Sequence, residues 1–120
     1  MSIAATLGEL KTAEQPLTKL AEEKVHARAS ILVARLVKKV AMELSLLEEQ
    51  RIKLVKELGE EKEGSFLVPE GRVPEFQAKF LEMLGVSVTL DCEPLTESIF
   101  EGVSVSARDL LLLGPLFKDS

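Results

Sequence analysis

Five residues carry polar chemistry at a spacing that a helix would turn into a surface. Arg28, Arg35 and Lys39 recur at intervals of seven and four, and Lys24 and His26 stand near the start of the same stretch. On an α-helix those intervals place the three cations in one row. Guanidinium and ammonium groups so arranged can grip carboxylate or phosphate oxygens. The functional reading is a concave site for a small anionic, nucleotide-like ligand or an acidic partner, formed where helices of different subunits meet. The plainer reading is that these side chains lie over apolar surface and pair with Glu22, Glu23 or Glu43.

Other chemistry is thinly supplied. His26 is the one histidine and Cys92 the one cysteine, far apart in sequence. A zinc site takes three or four ligands, so no metal is expected, and a Cys92–His26 nucleophile pair is equally disfavoured. Asp91 and Glu93 could do acid–base work, but beside Pro94 in a turn they read as solvated surface. Gly59, Gly64 and Gly71 punctuate turns and form neither glycine-rich phosphate signature. No catalytic residue and no cofactor is expected.

The basic row belongs to the stretch His26 to Leu58, which holds no Gly and no Pro and reads as one long helix. With Ala29 as zero and about 100° per residue, Val25, Leu32, Val33, Leu36, Val40, Leu44, Leu47, Leu54 and Leu58 fall within roughly 60° of it, a buried stripe. Val37 and Val55 widen the stripe. Ile31, Ala34, Ala41, Met42, Leu46 and Ile52 lie far round the wheel, so the helix is apolar on nearly every side between Ile31 and Leu47. Such a helix needs cover on several sides, and little chain is left to provide it. Self-association through residues 31–47 is the expected remedy. The alternative is a helix wrapped by its own flanking segments.

Around that rod, Ile3, Leu7 and Leu10 predict a short helix broken by Gly8. Pro16 interrupts it, and Leu17, Leu20 and Ala21 resume the spacing to complete a helical hairpin. Gly59 is the expected left-handed cap after Leu58, and Glu60–Gly64 a charged turn. Ser65–Pro69 reads as an extended segment, and Pro74 and Glu75 as the start of a shorter helix. Phe76, Phe80, Leu81, Met83 and Leu84 form its apolar side, with Gly85 as its cap. Val86–Leu90 alternates as a half-buried strand, expected to pair with Phe66–Val68. Ser98–Val105 is extended or turn-rich around Gly102. Ser106 is a predicted N-cap, with Asp109 three residues on. Gly114–Pro115 ends that helix, leaving Leu116 and Phe117 as a hydrophobic clip.

The fold class is therefore mainly α with a minor β part: a long central helix in a helical hairpin, a small two- to three-stranded β element and short C-terminal helices. The chain reads as a single domain over 1–120, with the hairpin in 1–60 and a small α/β part in 61–120. Hydrophobic content of 46% with 29% charged residues is that of a folded protein. Residues 1–63 carry 11 basic and 11 acidic side chains, and residues 64–120 carry 4 and 9, which accounts for the net charge of −5. That acidic part, and the lack of Trp and Tyr, disfavour nucleic acid as a partner. A single cysteine, no signal-like segment and no apolar run of spanning length predict a cytoplasmic protein off the membrane.

The strand VSVTL, then Asp91, Glu93-Pro94-Leu95, Phe100-Glu101-Gly102-Val103, Ser106-Ala107-Arg108-Asp109-Leu110, Leu113 and Pro115-Leu116 form a pattern of turns and apolar positions. LTKLAEEKVHARAS leads into a helix ending LLEEQRIKLVKELGEE. With these the chain resembles a family of small proteins encoded by tailed phages and prophages, a domain of unknown function. The resemblance implies a phage gene expressed in a host bacterial cytoplasm and supplies no catalytic residues. Three classes follow. The favoured one is a non-catalytic, homo-oligomeric binding protein that engages a host factor, as in counter-defence, or sequesters a small anion. The others are a virion head or tail accessory or assembly protein and, least favoured, an enzyme.

Overall fold

Alternation at Ile3 and Ala5, both buried with Ala4 exposed between them, makes the first element a strand, β1 (Ile3–Thr6), rather than a helix. The computed structural model describes residues 2–23, 26–100 and 102–117. Thr6 ends β1 and starts α1 (Leu7–Glu22) through a capping box: Glu9 N donates to Thr6 Oγ1 at 3.1 Å, and Thr6 N donates to Glu9 Oε1 at 2.9 Å. Gly8 therefore lies in the first turn of α1 instead of breaking a helix. A Cβ there would approach the Leu84 carbonyl oxygen to 3.2 Å, so glycine allows the close contact with the next helical layer.

Pro16 does not interrupt α1 either. An internal proline forgoes one backbone hydrogen bond, but Leu10, Ala13, Pro16, Leu17 and Leu20 are all buried on one face. Their packing against the long helix outweighs the local penalty, as tertiary context commonly does. That long helix, α2 (Ala27–Leu58), buries Ala29, Val33, Leu36, Val40, Leu44, Leu47, Leu54 and Leu58, the stripe expected from its sequence. Val25 lies outside the described residues. The two helices form the hairpin, and their facing leucines and valines make the core together with Ile3, Leu90, Leu95, Ile99, Leu113 and Leu116.

Gly59 closes α2 in an extended conformation, φ −92° and ψ 168°, not in the left-handed one expected. The left-handed residues are Glu63 (φ 53°) and Gly64 (φ 82°), which form a two-residue turn. The charged segment is thus a hairpin, β2 (Glu60–Lys62) antiparallel to β3 (Ser65–Leu67), with Glu60 opposite Leu67. Paired positive φ values at a two-residue loop match the twist of antiparallel strands. A short 3₁₀ turn (Glu70–Arg72) leads into α3 (Val73–Leu84), which carries proline in its first turn and Glu75 near its positive end. Phe76, Phe80, Met83 and Leu84 are half-buried there, but Leu81 turns outward and is 67% exposed.

β4 (Ser87–Leu90) pairs antiparallel with β1, Ile3 opposite Leu90 and Thr6 opposite Ser87, and not with Phe66–Val68 as expected. The bond from Leu7 N to Val86 O, 3.0 Å, extends the ladder by one step. Residues 97–100 form a 3₁₀ turn rather than an extended piece, and Gly102 takes φ 75°. Ser106 caps α4 (Ala107–Leu113), accepting from Asp109 N at 3.1 Å, and the chain turns at Gly114–Leu116. Leu116 is buried, Leu95 N donates to its carbonyl at 2.8 Å, and Phe117 stacks on Phe100 at 5.5 Å. The fold is mainly helical, with two small antiparallel sheets.

The molecule measures 50 × 28 × 24 Å with a radius of gyration of 17.2 Å. A compact domain of this length would have about 14 Å. The excess is α2 itself, whose 32 residues span about 48 Å at 1.5 Å each.

Candidate functional site

α2 holds three of the five expected site residues on one flank. Arg28, Arg35 and Lys39 are all exposed there. Lys24 lies outside the described residues. His26 caps the helix: its Nδ1 accepts the Ala29 amide at 3.3 Å, and the ring itself is exposed. Arg28 stands seven residues above Arg35, about 10 Å along the axis.

Arg35 and Lys39 join Lys38 on one wall of an open cleft of about 470 Å³, and Asp91, Cys92 and Glu93 line the rest. Three cations therefore share the cleft with two carboxylates. Arg28, Arg35, Lys38 and Lys39 form no ion pair with Glu22, Glu23, Glu43, Asp91 or Glu93; among the described residues the pairs are Lys19–Asp109, Glu48–Arg51, Arg72–Glu75 and Lys79 with Glu57 and Glu75. The cations are solvated and available. The carboxylates opposite them, just past β4, set an upper limit on how much negative charge the cleft attracts.

Burial pushes the Cys92 thiol up from its ordinary value, Lys39 opposes the shift, and Asp91 adds to it. A thiol that keeps its proton is a poor nucleophile. Reaction of Cys92 with a disulfide reagent is therefore expected to be slower at pH 7–8 than that of free cysteine, with its rate still climbing where free cysteine has levelled off. Lys39→Ala removes the opposing charge and is expected to slow the reaction further. A stopped-flow pH profile that matches free cysteine would refute this account.

The larger feature is the side of α2 turned away from the core. Ile31 (56% exposed), Met42 (69%), Leu46 (53%) and Ile52 (42%) stand on it. Ala34, Ala41 and Ser45 lie between them, also exposed. A smaller apolar cleft of about 360 Å³ opens between Phe100, Val103, Val105, Leu110 and Phe117, with Glu97 at its edge.

Among the described residues no group of three or more His, Cys, Asp or Glu side chains could hold a metal ion, and no helix is long and apolar enough to cross a membrane. No family model, no curated protein and no solved structure matches the chain.

Proposed function

We propose that the chain is a non-catalytic binding protein that works as a homo-oligomer joined through the outward side of α2. The cleft at Arg35, Lys38 and Lys39 beside that joint would receive a small anion or an acidic surface. The observation that carries the reading is the row Ile31, Met42, Leu46 and Ile52, four large apolar side chains in water along about 32 Å of one helix. Scattered apolar residues are normal on a surface, whereas four large ones on one side of a helix, with the small Ala34, Ala41 and Ser45 among them, favour a contact. In keeping with the resemblance to tailed-phage proteins, we place this binding in an infected bacterium, directed at a host factor or a host nucleotide.

Sedimentation velocity tests the assembly. The wild-type chain is expected to sediment above its 13.2 kDa monomer mass. Met42→Glu or Leu46→Glu is expected to yield monomers with unchanged helical circular dichroism. A wild type that stays monomeric at high concentration removes the reading. For the cleft, titration with ATP should shift the Arg35–Lys39 amide signals in nuclear magnetic resonance, and Arg35→Glu should abolish the shifts while leaving assembly intact.

A further inference from the structure

We infer that the cleft at Arg35, Lys38 and Lys39 takes a small zwitterion, an aminoalkyl phosphomonoester, with its phosphate on the α2 wall and its ammonium against Asp91 and Glu93. The inference rests on the anion-cleft reading and names the ligand class of that site.

The two walls are built separately, and each is fixed. Arg35 and Lys39 flank Leu36 and Val40, which are buried in the α2 stripe, so the cations ride on a helix locked to the core. Within one turn, about 6 Å along the axis, they and Lys38 present a guanidinium and two ammonium groups. The opposite wall is a three-residue strap. Buried Leu90 anchors its start, and buried Pro94 and Leu95 anchor its end. Inside the strap Cys92 N donates to Leu90 O at 3.0 Å, which bends the chain at Asp91. Asp91 and Glu93, both exposed, thus stand on a segment pinned at both ends.

These walls keep opposite charges apart. All five charged groups line one cleft, yet no cation of α2 pairs with Asp91 or Glu93. Half-buried Cys92 lies between them and packs on the core. Beyond the effect of burial, Lys39 lowers the proton affinity of its thiol and Asp91 raises it, so one charge from each wall acts on the sulfur. The protonated thiol offers a soft, weakly polar surface to methylene groups.

This distribution selects the ligand. A simple anion satisfies the α2 wall and meets like charge on the strap, and a simple cation does the reverse. A molecule with opposite charges at its two ends meets both walls favourably, and such complementarity is what discriminates between ligands. The count sets the balance. Three cations against two carboxylates leave one positive charge, which a phosphomonoester of charge about −2 carrying one ammonium cancels. A guanidinium with two ammonium groups also suits three phosphate oxygens better than a single carboxylate. The cleft volume, about 470 Å³, is in the range that small-molecule sites occupy.

Two probes of one size test the inference: O-phosphoethanolamine and 2-hydroxyethyl phosphate, which has a hydroxyl where the first has its ammonium. At low ionic strength, where surface charges act most strongly, the first is expected to bind about threefold to tenfold more tightly. Amide shifts of residues 35–39 and 91–93 read both affinities. The variant D91N/E93Q is expected to erase the preference and to bind 2-hydroxyethyl phosphate more tightly than the wild type does, because the repelling charges are gone. Arg35→Gln is expected to weaken both probes. Amide signals elsewhere in the spectrum verify that each variant is folded. Equal affinity of the two probes for the wild type, or a preference that survives in D91N/E93Q, overturns the zwitterion inference and leaves the anion cleft standing. If neither probe moves these signals, the cleft reading fails and this inference falls with it.

Discussion

Leu36→Ala is expected to lower the unfolding free energy by about 2–5 kcal/mol, the usual cost of truncating a buried leucine to alanine in a core that cannot collapse. Leu36 has no exposed surface and sits in the middle of the α2 stripe, in the cluster it shares with Leu10, Leu17 and Leu113. The cluster draws on β1, α1, β4 and α4 as well as α2, and elements so tied together restrict relaxation, so the cavity is expected to persist. Against a total of about 5–15 kcal/mol for a domain, this is a large fraction. The melting temperature should fall by on the order of 10 °C. Wild type and variant must be compared at one protein concentration, since the proposed association would add concentration-dependent stability. A loss below about 1 kcal/mol in urea unfolding would mean that the helices close over the gap.

Gly59→Ala is expected to cost about 1–3 kcal/mol, for steric rather than conformational reasons. Its φ of −92° is open to any residue. What forbids a side chain is proximity: a Cβ at Gly59 would collide with the Val55 carbonyl oxygen and stand 3.1 Å from that of Leu67. Both neighbours are backbone, one fixed by the last turn of α2 and the other by β3, so neither yields cheaply. The chain must open either the 2.6 Å bond from Gly59 N to Val55 O or the approach of β3 to the helix end. Amide exchange should localise the damage, with the Glu60–Leu67 hairpin losing protection before the helical core. Uniform loss of protection, or none, would contradict this account.

Local periodicity carried much of this molecule into its sequence. α2 was readable because thirty-two residues without Gly or Pro repeat an apolar pattern over many turns, and the Ser106 cap because its partner is only three residues away. β1 was not, because Ile3, Leu7 and Leu10 satisfy helical spacing as well as Ile3 and Ala5 satisfy alternation. The deciding local signal was Thr6 with Glu9, a capping box that starts the helix at Leu7. The partner of β4 was illegible for a different reason. With Ile3–Thr6 read as helix, Phe66–Val68 was the extended segment left to pair with β4, whereas the packing of α1 against α3 and α4 brings β1 to that edge. The candidate site divides the same way. Arg35 and Lys39 follow from helical spacing, whereas Asp91 and Glu93 reach the same cleft through the tertiary fold.

The pairing of β1 with β4 carries a kinetic consequence. Its two strands are residues 3–6 and 87–90, so the loop that must close to join them takes in about two thirds of the 120-residue polypeptide. Closure over such a span is entropically slow compared with docking two helices only a few residues apart in sequence. The α1–α2 hairpin is therefore expected to form before β1 meets β4 during refolding, and on a synthesising ribosome that pairing waits until β4 has emerged.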